Sequence, residues 1–329
     1  MKSSVMRRVN FNKLSDLHRS VIRCLITLLF EKADQAVNFR SPGSPPLRLV
    51  QEFTIWTLEQ GEVHGTYTLV WVDADRWREE FALPDYQEVH VGGHPIIRRL
   101  ESRPIPPLAA MRARSLVKRM TLSATLQNWH VEKTREEQEG QMTAKCVSLS
   151  LGEWTDATYC FDPDQGYPLS SNTKMLSDEK TTAWSDYLNL GGHWIPRVTR
   201  EFQKGVLIAQ NQIKDASLLS SFDPALFSPP AGAEQMEGCG TAEYPKPIRR
   251  AEPPYPSAEK ANRVEGTVTL FVRIDRQGKA ETVGILESLD AGLEQSAMQT
   301  VKEWRYKPAS CGGNPIPMEM EVQINFKLL

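Results

Sequence analysis

The chain has 329 residues, with 39 Lys and Arg against 41 Asp and Glu, so its formal net charge at neutral pH is -2. This balance argues against a protein devoted to nucleic acid, because such proteins usually carry a basic excess. The hydrophobic fraction of 40% is ordinary for a folded globular protein, and the length predicts about two domains.

The N-terminal segment, residues 1–46, has two interpretations. Its first residues are basic and Val21–Phe30 form a short apolar run, as in a secretory signal. Arg23 interrupts that run and no clean small-x-small cleavage site follows, which favours an amphipathic helix over Leu14–Val37. No apolar run approaches the roughly 20 residues of a membrane-spanning helix. We therefore expect a helix or a degenerate export signal here, followed by a Pro-rich break.

A succession of strands is predicted between residues 47 and 220. Runs rich in aromatic and β-branched residues recur at a spacing of about 8–12 residues, which is typical of an antiparallel sheet. The short connections predict hairpins and a sheet that curls into a half-barrel. One helix, over Pro106–Met120, interrupts the strands. The interior of the half-barrel is either a solid aromatic core or a ligand cavity.

A compact unit is predicted at the C-terminus, over residues 245–329, after a Pro-rich linker over residues 221–244. Its alternating strands and its one-sided helix predict a β-β-α-β arrangement with one apolar sheet face covered by the helix. The four elements are Gly266–Ile274, Ala280–Ser288, Leu293–Trp304 and Met318–Leu328. The predicted fold class of the whole chain is therefore α+β.

An ordered set of motifs runs through this C-terminal unit. They are Tyr255-Pro256, Gly266-Thr267-Val268, Asp275-x-x-Gly278, Trp304-Arg305-Tyr306-Lys307-Pro308, Gly313-x-Pro315 and the alternating final strand. Together they resemble the TonB C-terminal domain family over about residues 245–329. We expect Gly266 and Gly278 to allow backbone geometry that a side chain would block. We also expect Trp304 and Pro308 to close and stop the helix, with Arg305 at its last carbonyl groups.

The resemblance implies a way of binding. In this family the C-terminal strand captures a short segment of an outer-membrane transporter by β-augmentation, and the stretch before the Tyr-Pro pair also contacts that segment. The candidate partner-binding residues are Met318, Glu319, Met320, Glu321, Val322, Gln323, Ile324, Asn325 and Phe326, with Arg250, Ala251, Glu252, Pro253 and Pro254. The family also implies a periplasmic location, and we predict no cofactor.

Two departures from the family pattern limit what the resemblance implies. A standard energy transducer has a membrane-spanning N-terminal helix and a long Pro-rich rod, and this sequence shows neither. Glu252 stands where family members often have Gln, which changes the charge of the stretch before the Tyr-Pro pair. We therefore expect the binding module to be shared, with an outer-membrane transporter or another protein as its partner, while energy transduction does not follow from the resemblance.

A second hypothesis concerns the half-barrel. A curled antiparallel sheet with an intervening helix is similar in architecture to LolA/LolB lipoprotein carriers, and that resemblance implies a concave face for a lipid or acyl chain. Catalysis has little support. His90-x-x-x-His94 is the most suggestive metal pattern, but no third ligand is evident, so we predict neither a metal site nor a catalytic residue.

The five cysteines contain no CxxC pair, which gives no support for zinc or thioredoxin-type chemistry. Cys146 and Cys160 lie on neighbouring predicted strands, so a cross-strand disulfide is geometrically possible. Cys239 and Cys311 could form a second disulfide, and five reduced thiols are the alternative. Because the family resemblance implies an oxidising compartment, we predict both disulfides, with Cys24 left over.

Overall fold

The computed structural model describes residues 16–58, 60–92, 96–117, 122–123, 126, 130–139, 142–150, 155–175, 178–237, 239, 242–288 and 290–328. The described residues form two compact units. Unit 1 takes its residues from Met1–Ile55, His64–Ala74 and Arg112–Asp223, and unit 2 takes its residues from Trp56–Val63, Asp75–Met111 and Pro224–Leu329. No helix in the described part of the chain is long and apolar enough to cross a membrane.

Unit 1 is built on an antiparallel sheet. Its elements are α1 (Asp16–Val37), most of β1 (Leu47–Thr57) and β2 (Gly61–Asp73), β6 (His130–Glu139), β7 (Met142–Ser150), β8 (Thr155–Phe161), β9 (Pro168–Met175), β10 (Asp178–Leu190), β11 (His193–Gln203) and β12 (Val206–Leu218). The strand order is β2-β1-β12-β11-β10-β9-β8-β7-β6. Sequence neighbours from β6 to β12 pair antiparallel, as their short connections predict.

Helix α1 packs against this sheet through its apolar stripe. Phe30 is fully buried, and its ring meets the edges of Tyr159 and Phe161 at centroid distances of 5.4 and 5.0 Å. The carboxylate of Asp34 accepts hydrogen bonds from the backbone N–H groups of Leu122 and Ser123 at 2.6 and 2.9 Å. The amphipathic-helix interpretation of the N-terminal segment therefore describes its structure in this chain.

Unit 2 contains four hydrogen-bonded strands in the order β13-β5-β4-β3 and a separate three-stranded sheet in the order β16-β15-β20. Two short ribbons, β14–β17 and β18–β19, complete the unit. The bounds are β3 (Arg76–Leu83), β4 (Tyr86–Gly92), β5 (Ile96–Glu101), β13 (Glu234–Glu237), β14 (Lys246–Arg249), α3 (Ser257–Ala261), β15 (Gly266–Ile274), β16 (Ala280–Glu287), α4 (Ala291–Glu303), β17 (Arg305–Lys307), β18 (Ala309–Cys311), β19 (Asn314–Ile316) and β20 (Met318–Phe326). A 3-10 turn spans Pro224–Phe227, and helix α2 (Leu108–Val117) lies partly in each unit.

The C-terminal β-β-α-β arrangement is confirmed, and its core explains its sequence. Alternate residues of β15 put Val268, Leu270 and Val272 on one face, where all three are fully buried. Helix α4 covers that face with a stripe that includes Leu293 and Ala297. Its first turn is capped by Asp290, whose carboxylate accepts the N–H of Leu293 at 2.9 Å. The predicted α+β fold class is confirmed.

The opposite face of the same sheet is also covered, which the sequence did not predict. Phe271 is fully buried there, and Leu286 is 6% exposed. Ile105 and Leu108 pack against them. Gly284 permits this approach, because a Cβ at that position would lie 2.6 Å from the side chain of Ile105. The three-stranded sheet is therefore packed on both faces within unit 2.

Two disulfides form as predicted. Cys146 on β7 is joined to Cys160 on β8, where the two residues are direct cross-strand partners. Cys239 is joined to Cys311 on β18, across 72 residues of sequence. Cys24 is an exposed free thiol.

Candidate partner-binding strand

Strand β20 lies at the edge of its three-stranded sheet. Its nine residues pair antiparallel with β15 from Gly266 opposite Phe326 to Ile274 opposite Met318. In the described part of the chain, β20 pairs with β15 alone. One row of its backbone N–H and C=O groups is therefore directed away from the sheet, and such a row can pair with an added strand.

The side chains of β20 alternate between core and surface. Val322, Ile324 and Phe326 are buried in the core under α4, and Met320 packs against that core. Glu321, Gln323 and Asn325 are exposed on the other side. Because the apolar row is already used by the core, an added strand would pair with the backbone of β20 and meet its polar row at the surface.

Glu319, at the start of β20, is held by two arginines. The guanidinium of Arg99 on β5 donates to both carboxylate oxygens of Glu319, at 3.0 and 2.6 Å. Arg273, the direct cross-strand partner on β15, donates to one of them at 3.1 and 2.6 Å. The side chain of Arg99 is 6% exposed and that of Glu319 is 12% exposed. This is a buried ion-pair cluster, so removing one of its partners destabilises the fold more than removing one partner of a surface pair.

The cluster continues along strands β5 and β4. Arg99 lies 3.3 Å from Glu101. The hydroxyl of Tyr86 donates to Glu101 at 2.8 Å, and it lies 3.0 Å from the buried carboxylate of Glu88. Glu88 in turn forms an ion pair with His90. A continuous chain of polar contacts thus joins β4 and β5 to the start of β20.

The pKa of His90 is raised in this cluster. Burial alone would lower the pKa of His90, but hydrogen bonds to Glu79 and Glu88 and their negative charges outweigh it and raise the pKa to about 9. The Glu79 carboxylate lies 3.6 Å from Nδ1 of His90. His94, the other histidine of the His90-x-x-x-His94 pattern, lies outside the described residues. The contacts of His90 with Glu79 and Glu88 are those of a structural ion pair.

The stretch Arg250–Pro254 is fixed along α4 by its backbone. The indole N–H of Trp304 donates to the carbonyl of Ala251 at 2.9 Å, and the hydroxyl of Ser296 donates to the carbonyl of Pro254 at 2.6 Å. The guanidinium of Arg250 lies over the Trp304 ring, 4.8 Å from its centroid. Arg250, Ala251, Glu252 and Pro254 are exposed, and Pro253 is half-buried.

This stretch leads to the far end of β20. Tyr255 follows it directly, and its ring meets Phe326 edge-on at a centroid distance of 5.5 Å. The Tyr255 hydroxyl also donates to the carbonyl of Val264. Tyr255, directly after this stretch, therefore contacts Phe326 at one end of β20, and the arginine cluster lies at the other end of the strand.

Three motif residues have the roles that the resemblance implies. Trp304 is 3% exposed and packs in the core under α4. Arg305 donates from one guanidinium nitrogen to the carbonyls of Lys302, Glu303 and Trp304, where the helix ends. Gly278 has a φ of +77°, and a Cβ there would lie 1.8 Å from the carbonyl oxygen of Tyr306.

Two of the motif expectations are wrong. A Cβ at Gly266 would meet nothing within 4 Å, and its φ is not positive, so Gly266 is not required by the backbone. Pro308 does not stop the helix, because α4 ends at Glu303 and β17 lies between them. Trp304, which is already extended with a ψ of 153°, ends the helix instead.

The remaining motif residues build the scaffold. Pro256 occupies the N-cap position of α3. The buried Tyr306 donates its backbone N–H to Gly278 at 2.8 Å, and burial raises the pKa of its phenol to about 12. Gly313 has a φ of +87° in the turn between β18 and β19, and Pro315 lies in β19.

Arg99 and Arg273 were missed by the sequence analysis. Arg273 lies on a strand that was predicted correctly, and its position opposite Glu319 could have been found from the register of β15 with the final strand. Arg99 had no such signal, because its contact with Glu319 joins residues 220 positions apart.

One cavity of unit 1 is small. In unit 1 a cavity of about 70 Å³ is lined by Phe39, Arg40, Tyr67, Trp184 and neighbouring residues. Ligand pockets usually measure roughly 300–1,000 Å³. An acyl chain would need this cavity to open, so the carrier hypothesis stays a prediction.

Comparison with known proteins shows what the C-terminal part of the chain is similar to. Residues 251–328 match the family model described as Gram-negative bacterial TonB protein C-terminal. The chain is 31% identical to the Vibrio cholerae protein TonB over 80 residues, which cover 24% of this chain and 33% of that protein. It is 30% identical to the Escherichia coli protein over 88 residues, covering 26% and 35%. The chain thus spans about a third of the length of the curated relatives it matches.

Among solved structures, the TonB C-terminal domain of Pseudomonas aeruginosa aligns with 28% of this chain and 93% of that chain, at 26% identity and a TM-score of 0.24. A LolA superfamily protein from Nitrosomonas europaea aligns with 60% of this chain and 96% of that chain, at 12% identity and a TM-score of 0.38. The sequence match and the ordered motifs agree on the same residues, and residues 251–328 are similar to the TonB C-terminal family.

Proposed function

We propose that this chain is a non-enzymatic periplasmic interaction protein that binds a partner protein by strand addition at β20. The observation that carries the proposal is the position of β20: a nine-residue edge strand, paired on one side in the described structure, within a domain similar to the TonB C-terminal family. The partner that the family suggests is a periplasmic segment of an outer-membrane transporter. The chain would thus act in transport across the outer membrane as a binding component.

The neighbourhood of β20 supports the same proposal. The stretch Arg250–Pro254 presents exposed side chains on a backbone already fixed by Trp304 and Ser296. A rigid stretch beside an edge strand reduces the ordering cost of binding a peptide. Both sets of candidate residues can then contact one extended segment.

The experiment should use the whole chain, because a C-terminal fragment would uncover Phe271 and Leu286. Peptides from the periplasmic ends of outer-membrane transporters are added, and hydrogen exchange is measured. We expect protection confined to Met318–Phe326 and Arg250–Pro254. No protection on β20 by any peptide would contradict the proposal.

Two proline variants sharpen the test. Successive amides of a strand point in opposite directions, so either Met320→Pro or Glu321→Pro removes an N–H directed at the partner. Whichever of the two variants lacks the partner-directed N–H should lose peptide binding and keep the fold. Glu281→Pro on the other edge strand, β16, is the matched control, because Glu281 is exposed and lies at an irregularity of the β15–β16 pairing. Equal binding by all three folded variants would refute strand addition at β20.

A further inference from the structure

The ribbon β14–β17 carries an unusual arrangement of charge. Its cross-strand partners include Lys246 opposite Lys307 and Arg249 opposite Arg305. Like charges directly opposite each other destabilise an antiparallel pair. A ribbon that keeps two such pairs breaks a local rule of stability, and such violations concentrate at functional sites.

All four cations lie on one face of the ribbon. Tyr306, between Arg305 and Lys307, is 3% exposed and points into the core. Its two neighbours therefore point outward, and they are exposed, as are Lys246 and Arg249. We call these four residues, Lys246, Arg249, Arg305 and Lys307, the basic face.

Neighbouring groups neutralise only part of this charge. Lys307 lies 3.8 Å from Glu243, and Arg305 spends one guanidinium nitrogen on the carbonyls that end α4. Among the described residues, no carboxylate lies within ion-pair distance of Lys246 or Arg249. The basic face is thus complementary to a surface that carries several negative charges.

An apolar side chain projects from the same ribbon. Ile248 lies between Pro247 and Arg249, at an irregularity of the pairing, and is 72% exposed. Tyr244, just before the ribbon, is 60% exposed. An acidic peptide would neutralise the cations but would need a pocket of its own for Ile248. A bilayer with anionic headgroups accepts both, since it places negative charge directly above an apolar layer.

We propose that the basic face and Ile248 bind the surface of an anionic lipid membrane. Lys246 and Arg249 lie over the headgroups, and Ile248 enters the boundary with the acyl chains. This binding does not depend on strand addition at β20. The disulfide from Cys239 to Cys311 and the bridge between Glu243 and Ser310 fix the start of the ribbon, so the surface is preformed.

The test is sedimentation of the full chain with vesicles of phosphatidylglycerol and phosphatidylcholine in equal parts. Each cation near an anionic surface contributes roughly fivefold in affinity, so Lys246→Gln with Arg249→Gln should weaken binding roughly 25-fold. The matched control is Arg197→Gln with Lys204→Gln, which removes two exposed cations of unit 1 and should change binding little. Ile248→Ser should weaken binding roughly tenfold without changing charge.

Three results would overturn the proposal. The first is no sedimentation of the unaltered chain with these vesicles. The second is equal weakening by the ribbon pair and the control pair, which would indicate net charge alone. The third is ribbon-dependent binding of polyglutamate that exceeds binding to vesicles, which would assign the basic face to an acidic protein. Should the double variant fail to fold, as seen by near-ultraviolet circular dichroism, Ile248→Ser alone decides, because it alters neither charged pair.

Discussion

Replacing Arg99 by Met should destabilise unit 2 through the start of β20. Met keeps much of the apolar stem and removes the charge from a residue whose side chain is 6% exposed. Glu319 would lose a two-pronged partner at 3.0 and 2.6 Å and would retain Arg273. Removing one partner of a buried ion pair costs about 3–5 kcal/mol. Because Arg273 still partly compensates Glu319, we expect a loss of about 3 kcal/mol in the free energy of unfolding.

Urea unfolding of the full chain measures this loss, with Arg103→Gln as the matched control. Arg103 and Asp85 form a pair at 3.4 Å whose side chains are 43% and 47% exposed, and such pairs contribute roughly 0–1 kcal/mol. Adding Glu319→Gln to Arg99→Met should restore part of the loss, since it removes the carboxylate left uncompensated. If Arg99→Met cost no more than Arg103→Gln, the cluster would not stabilise unit 2 and the reasoning would be refuted.

Three further predictions concern the same unit. Gly278→Ala should lower the free energy of unfolding by at least about 2 kcal/mol in a thermal melt, because its positive φ is strained for Ala and its Cβ would meet the Tyr306 carbonyl. Gly266→Ala, whose Cβ would meet no atom within 4 Å, should be neutral or slightly stabilising in the same melt. The pKa of His90 is raised to about 9. Its stabilising contribution, about 3 kcal/mol, should therefore be complete below pH 6.5 and be lost as the pH rises through 9. A urea midpoint that falls equally over this pH range in His90→Gln would contradict the prediction. Replacing Cys239 and Cys311 by Ser should cost about 4 kcal/mol, because that disulfide closes a loop of 72 residues, and an unchanged melting temperature would show that the loop is already constrained.

Local patterns predicted the C-terminal elements well. Strand β15 begins and ends at the predicted residues, Gly266 and Ile274, because its alternation is unbroken and Asp275 starts a tight turn. Helix α4 differs from its prediction by two residues at the start, where the capping of Leu293 by Asp290 sets the first turn. The bounds of these elements are set by residues that are close in sequence, so a single sequence is enough to predict them.

Contacts between distant segments were not predictable in the same way. Glu234–Glu237 were placed in a linker because Asp-Pro and Pro-Pro pairs precede them, but they pair with Ile96–Glu101 as β13. Phe271 offered one signal, since a large aromatic side chain on the face opposite the helix needs a cover. Nothing local identified Ile105 and Leu108 as that cover. The candidate strand β20 was predictable from its alternation, and the Arg99 contact with its first residues was not.

The cover on Phe271 has a consequence for how the chain is made. Leu108 leaves the ribosome roughly 160 residues before Phe271, and at about 5–20 residues per second this is a delay of roughly 8–30 s. During that time Ile105 and Leu108 lack the sheet that later buries them. Unit 2 can therefore reach its final packing only when nearly the whole chain is present, and until then these apolar side chains lack their cover.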